Sequence, residues 1–266
     1  MEFCKSKKMN FFRVITVLQI SNNELIKTRK YKNPVYLGDP INAIKIFNEM
    51  EVQEMVLLDI DATNQKKEPN FELLKLITSE AFYPLSYGGG ISSIEHIINL
   101  QKIGVEKIIL NTSAISNDEF VKEAVSIAGS SGVVVSIDVK KNWQGKYFVY
   151  KKNGKTNTGL DLFNHCENME NLGVGEFFIS SITNEGEMNG FDYELIKKVS
   201  SKINVPIIAN GGAGSLKHFE QAILSGASAL AAGSMFVFHG PHRGILINYL
   251  NRSDLDNLDF ISKNGK

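Results

Sequence analysis

The chain nearly repeats itself. Sliding it by 122 residues places Pro84 on Pro206, Gly89-Gly90 on Gly211-Gly212, Ser93 on Ser215, His96 on His218, Gly104 on Gly226 and Glu54 on Glu176. Nearer the start the best offset is 119, which puts Val14–Ile20 on Val133–Val139. Within this repeat, short apolar runs alternate with amphipathic stretches. The strand-like runs are Arg13–Ile20, Met55–Ile60, Pro84–Tyr87, Lys107–Asn111, Val133–Val139, Glu176–Ser181, Pro206–Ala209 and Ala229–Gly233. Asp39-Pro40 before Ile41, Ile44 and Phe47 reads as a helix N-cap with proline in the first turn. Strands alternating with helices predict a parallel α/β fold. Four βα units copied once predict a closed barrel, because a doubly wound open sheet would not need the symmetry. The expected fold is therefore a (βα)8 TIM barrel with a two-fold half-barrel repeat. The 266 residues suit it, since such barrels run to about 250. No linker or low-complexity segment separates the halves, so residues 1–266 read as a single domain.

Charge gives no hint of a polyanionic partner: 29 basic residues face 29 acidic ones, so neither nucleic acid nor a membrane surface is expected. Apolar runs such as Ala229–Ala232 are too short to cross a bilayer. The opening Met1–Lys5 lacks the apolar core of a signal peptide. Cys4 and Cys166 form neither a disulfide framework nor a metal spacing, and a reducing cytoplasm is the simplest setting. His239 and His242 have no ligand-like partners in sequence, so no metal and no cofactor are expected. His96 and His218, near helix starts, read as structural.

Each half carries a glycine-rich turn between a strand and a helix: Tyr87-Gly88-Gly89-Gly90 and Asn210-Gly211-Gly212-Ala213-Gly214. Glycines let backbone N–H groups approach an anion, and a helix N-terminus adds partial positive charge. The next strand ends in small polar residues each time, Asn111-Thr112-Ser113 and Gly233-Ser234. Loops after adjacent strands form the usual phosphate site of a barrel. Two such sites on opposite sides of the mouth suit an elongated ligand with a phosphate at each end. Tight turns alone would also use these glycines; the duplicated strand–glycine–helix–strand–Ser/Thr pattern favours phosphate.

With these residues in view, the sequence resembles the HisF family, the cyclase subunit of imidazole glycerol phosphate synthase, over nearly its whole length. The matching segments are Gly38-Asp39-Pro40, Val56–Ala62, Tyr87–Ile91, Asn111-Thr112, Val135–Asp138, Thr156–Gly159, Ile207–Gly214 and His218-Phe219. The resemblance implies a phosphorylated, two-phosphate substrate. It also implies a separate glutaminase subunit on the N-terminal barrel face, with ammonia passing through the barrel.

The match breaks at the catalytic pair. The family uses two aspartates, ending the first and fifth strands, as general acid and base. The fifth-strand position is Asp138; the first-strand position is Gln19, and the repeat aligns the two independently. A glutamine amide hydrogen-bonds but does not take up a proton near neutral pH. After the sixth strand, where the family is acidic, the chain reads Ser181-Ile182-Thr183-Asn184-Glu185-Gly186. Taken alone, Asp138 could be an ordinary strand-end carboxylate.

Arg13, Glu54, Lys107 and Glu176 begin the first, second, fourth and sixth strands, at the positions of the family's charged ammonia gate. Two acids and two bases could neutralise one another in a ring; the plainer alternative is four solvated charges. Ser21–Pro34 reads as a basic loop, and its Lys27 matches a substrate-contacting lysine of the family. The loop either closes over the mouth or lies solvated. A retained gate with one catalytic acid lost points to a HisF-like member of a glutamine amidotransferase complex. Such relatives are associated with amidation of surface-polysaccharide sugars. The alternatives are a genuine cyclase of histidine biosynthesis, a lyase, and a non-enzymatic phosphosugar-binding module, which would not need the gate.

Overall fold

The computed structural model describes residues 12–264; Cys4 and the opening segment lie outside them. Eight parallel strands form the barrel: β1 (Arg13–Ser21), β2 (Glu54–Asp59), β3 (Leu85–Gly88), β4 (Lys107–Leu110), β5 (Val133–Lys141), β6 (Glu176–Ser181), β7 (Ile207–Asn210) and β8 (Ala229–Ala232). Each pairs with the next, and β8 closes on β1 with Arg13 opposite Ala229 and Thr16 opposite Ala232. The fold is a (βα)8 TIM barrel.

Local chemistry sets the helix starts. Asp39 accepts a hydrogen bond from Asn42 N at 2.8 Å, with Pro40 in the first turn of Pro40–Glu49. Asp161 caps Leu162–Asn171 in the same way, through Phe163 N at 3.0 Å. Asn70 and Asp192 cap Phe71–Glu80 and Tyr193–Ser200. Both pairs of caps, Asp39/Asp161 and Asn70/Asp192, keep the offset of the repeat.

Alternation along each strand divides its residues between two cores. Ile15, Val17, Val56, Ile109, Val134, Phe178, Ile208, Ala229 and Ala231 fill the barrel interior. The other faces pack against the helices, where Phe47, Phe177, Phe219 and Phe236 are fully buried.

The Ser21–Pro34 loop of the sequence reading is instead a β-hairpin. Strand Glu24–Arg29 pairs antiparallel with β1, with Gln19 opposite Ile26, and then with Lys32–Gly38. The second half repeats the device: Tyr147–Lys151 pairs antiparallel with β5, then with Thr156–Asp161. Lys30 and Tyr31 make the first hairpin's two-residue turn, both with positive φ (53° and 56°). That geometry is usually supplied by Asn-Gly or Asp-Gly, so the residues gave no turn signal. Leu25, Ile26, Lys27 and Thr28 are all buried in succession, so the strand lacks the in–out alternation of a half-buried one.

Candidate functional site

At the N-terminal end of the barrel, the four predicted gate residues meet. Arg13 forks onto Glu54, with Nε–Oε1 at 2.5 Å and Nη2–Oε2 at 2.8 Å. Its Nη1 also donates to Glu176 Oε1, and Lys107 Nζ reaches Glu176 Oε2 at 2.7 Å. Two cations and two carboxylates thus form one connected, charge-balanced network. Burial would raise the Glu176 carboxyl, but Arg13 and Lys107 outweigh it and hold it below its ordinary range. Above this ring lies the apolar interior.

At the C-terminal end the mouth opens as a cavity of 1160 Å³, somewhat larger than ordinary ligand sites of about 300–1,000 Å³. Gly89, Gly90, Asn111, Thr112, Asp138 and Gln19 all line it. Asp138 is buried; Tyr31 Oη donates to its Oδ1 at 2.7 Å and Asn111 Nδ2 to its Oδ2 at 3.3 Å. Burial, with Glu185 adding to it, pushes the Asp138 carboxyl up to about 6 against the pull of those two hydrogen bonds. Gln19 Oε1 accepts from Thr28 N at 2.9 Å and lies 3.0 Å from Thr28 Oγ1. The Gln19 amide therefore pins the hairpin to the mouth.

The two glycine loops are not equivalent. Gly211, Gly212, Gly233 and Ser234 border a space of only 30 Å³, shared with Lys27 and Glu185. Lys27 is buried; its ammonium pairs with Glu185 Oε1 and donates to Thr28 O at 3.0 Å. Burial pulls the Lys27 ammonium down, and Glu185 counters it. The Lys27 stem passes Gly233 so closely that a Cβ there would sit 3.0 Å from Lys27 Cε. The hairpin touches Asp138 and Glu185 through Tyr31, and Lys27 is a buried ion-pair partner of Glu185.

The glycines have a packing role in both halves. A Cβ on Gly89 (φ +136°) would lie 2.5 Å from Asp59 O, and one on Gly212 (φ +111°) 2.0 Å from Gly190 O. The histidines match as well: His96 Nδ1 accepts from Ser92 N at 3.4 Å and His218 Nδ1 from Gly214 N at 3.2 Å. Each ring braces its glycine loop.

Four groups at the mouth escaped the sequence reading. Tyr31 and Glu185 sat in segments read as a basic loop and as a departure from the family. Asp59 lines the cavity, accepts from Asp61 N and Ala62 N at 3.0 Å each, and is raised by burial. Arg243 donates to Gly186 O at 2.8 Å and approaches Ser234 Oγ at 3.4 Å. Asp59 carried a signal, a lone acid ending an apolar strand; Arg243 carried none. Among the described residues no cluster of three His, Cys, Asp or Glu side chains could hold a metal ion, and no helix is long and apolar enough to cross a membrane.

Residues 13–242 match the family described as histidine biosynthesis protein. A Pseudomonas aeruginosa protein, provisionally named imidazole glycerol phosphate synthase subunit hisF2, is 44% identical over 92% of this chain and 98% of its own length. The chain belongs to the HisF family. Another HisF relative, provisionally so named in Leptospira borgpetersenii, is 42% identical over the same shares. The imidazole glycerol phosphate synthase subunit HisF of Thermococcus onnurineus is 38% identical over 84% of this chain and 88% of its own. As a HisF-family barrel, the chain has a glycine-rich loop in each half and carries Gln19 on β1 and Asp138 on β5.

Proposed function

We propose that this HisF-family barrel is the synthase-side subunit of a glutamine amidotransferase complex, one that supplies ammonia for sugar amidation in surface-polysaccharide biosynthesis. In this reading a glutaminase subunit docks on the N-terminal face, where Arg13, Glu54, Lys107 and Glu176 gate entry. Phe82, 86% exposed in the turn leading into β3, gives that face an apolar anchor. Ammonia crosses the apolar interior to the mouth, where a phosphorylated ligand is held at Gly89, Gly90, Asn111 and Thr112. The carrying observation is the contrast between the two ends. The charged ring is complete, whereas Gln19, in the place of one catalytic acid, spends its carbonyl oxygen on Thr28.

The cyclase reading, histidine biosynthesis by a lyase, is favoured by one observation: Asp138 is poised at about 6, near the value a general acid–base needs. A single experiment separates the two. Purified protein receives the family's two-phosphate substrate and excess ammonium, which bypasses any glutaminase. Turnover about 10²–10⁴-fold below that of a two-aspartate cyclase is expected, the range of a lost general acid–base. Turnover equal to such a cyclase rejects the proposal in favour of histidine biosynthesis. In the reconstituted complex, Lys107→Ala should change glutamine-dependent activity and leave ammonium-dependent activity intact; no change in either removes the gate assignment.

A further inference from the structure

Balanced charge over the whole chain conceals one lopsided element. From Lys140 to Leu160 the sequence holds six lysines and no acid. These residues are the end of β5 and the second hairpin, Tyr147–Lys151 with Thr156–Asp161. Glu194 and Asp161 engage Lys141 and Lys146 at 2.5 and 3.4 Å. Lys140, Lys151, Lys152 and Lys155 have no ion pair among the described residues. The first hairpin differs, because Lys27, Arg29 and Lys30 all pair with Glu185 or Glu187. At the tip of the second hairpin stands the chain's one tryptophan, Trp143, 90% exposed. The loop that carries it is braced. Asn142 Oδ1 accepts from Gln144 N at 3.0 Å and from Lys146 N at 2.8 Å, and Asn142 N donates to Lys146 O at 2.8 Å. The indole is thus held out in water by an ordered turn, with the partly exposed Leu160 on the hairpin's outer strand.

We infer that this hairpin is a peripheral anchor for an anionic lipid surface. Trp143 enters the headgroup layer, and the four unpaired lysines meet the lipid phosphates. Tryptophan favours the membrane–water interface, where its ring is half apolar and its N–H stays wet. Lysines near an anionic leaflet are drawn to it, and the attraction fades within a Debye length. A protein partner fits this surface less well. Such an interface needs about 800 Å² per side with a packed apolar centre, from which lysine is depleted. Here one protruding ring stands among lysines. Because β5 leaves the barrel at its C-terminal end, the anchor lies on the side of the mouth. The charged ring of Arg13, Glu54, Lys107 and Glu176 then faces away from the lipid. The inference is independent of the ammonia reading, since it uses neither the ring nor the glycine loops.

The probes are vesicles of phosphatidylglycerol and phosphatidylcholine in equal parts, and vesicles of phosphatidylcholine alone, mixed with the full chain. Trp143 emission reports contact without a label, because no other tryptophan is present. A blue shift is expected on the anionic vesicles and little on the neutral ones. Raising salt from about 0.1 M to about 1 M, which shortens the Debye length from about 10 Å to about 3 Å, should reverse it. Sedimentation with the anionic vesicles measures the partition. Lys140→Gln with Lys155→Gln should lower it about 25-fold, at about fivefold for each lysine. Trp143→Ala should lower it as well, and Trp143→Phe less. All three positions are exposed, so the fold bears the changes. No sedimentation of wild type, or sedimentation without a shift in Trp143 emission, overturns the inference. So does a partition unchanged in the double variant. Poly-glutamate is the third probe: a shift on it and none on vesicles assigns the hairpin to an acidic protein instead.

Discussion

Gly89 and Gly90 border a cavity of 1160 Å³, whereas Gly211 and Gly212 border one of 30 Å³. The backbone does not account for the difference. All four glycines have positive φ, and each loop is braced by a histidine four residues after a backbone donor. What differs is the position after β2 and β6, Thr63 against Glu185, and the hairpin above. The first hairpin turns tightly at Lys30-Tyr31 and tucks onto Glu185, and the second turns more widely, with Asn153 Nδ2 reaching Ile60 O at 2.6 Å. Duplication copied two cradles; a few side chains decide which one is open.

The largest effect should come from breaking the ion pair that only the second cradle has. Lys27→Met leaves the Glu185 carboxylate buried without its cation, and both side chains are nearly inaccessible (6% and 4% exposed). Removing one partner of such a pair costs about 3–5 kcal/mol. At the matching place in the first half, Thr63→Ala should cost within about 1 kcal/mol, since only one long hydrogen bond is lost. Urea unfolding of both variants measures the gap. Equal small losses would mean that Lys27 and Glu185 are solvated rather than locked, and the contrast between the halves would dissolve.

A smaller effect follows from Asp138, which β5 places under the roof made by the first hairpin. Its carboxyl stands at about 6 in the folded protein against 3.8 ordinarily. The folded state therefore holds this proton more tightly than the unfolded state does. The resulting stability is fully present below about pH 4, fades as pH rises to about 6, and is gone above. Two units correspond to about 3 kcal/mol. Other groups titrate nearby: His165 is lowered by burial, so its contribution falls as pH drops. The informative quantity is thus the difference between wild type and Asp138→Asn, measured by urea unfolding from pH 4 to 7. Wild type should lose about 3 kcal/mol relative to the variant across that interval. A flat difference would show that the hairpin does not desolvate the carboxyl.

The same contrast marks what was legible in the sequence. Barrel strands such as Lys107–Leu110 and Glu176–Ser181 were readable because strands buried on both faces are continuous apolar runs, and because the repeat gives each a second copy. The charged ring of Arg13, Glu54, Lys107 and Glu176 was readable because charge at the first residue of a buried strand is conspicuous and the family resemblance gave it a place. The inequality of the cradles was not, since the glycine motifs are the same in both halves. The decisive contact joins Lys27 to Glu185 across 158 residues of sequence. The hairpin was hidden for local reasons: four consecutive buried residues break strand alternation, and Lys30-Tyr31 adopts a turn that side chains normally avoid. Asp138 was legible as a strand-end acid, but its lid, Tyr31, was not.

The smallest expected effect isolates that lid. Tyr31 Oη donates to Asp138 Oδ1 at 2.7 Å, and burial, then Asp138, pushes the phenol up, so it remains a donor throughout the working range. Tyr31→Phe keeps the ring in the hairpin turn and deletes only this donor. A hydrogen bond to a charged group is worth about 1.5–3 kcal/mol. Part of that should be recovered, because Asp138 retains Asn111 Nδ2 and can bind a proton instead. The net loss of stability should be about 1 kcal/mol at pH 7 and nearly nothing at pH 4, where Asp138 is already protonated. The phenol also holds the Asp138 carboxyl down, so its removal should move the titration upward from about 6. Carbon-detected NMR of the Asp138 carboxyl reads that shift directly. A titration that stays put or moves down would show that Tyr31 roofs the mouth by shape alone. An upward shift makes the first hairpin a tuner of Asp138, whose mate in the two-fold repeat is Gln19 rather than an acid.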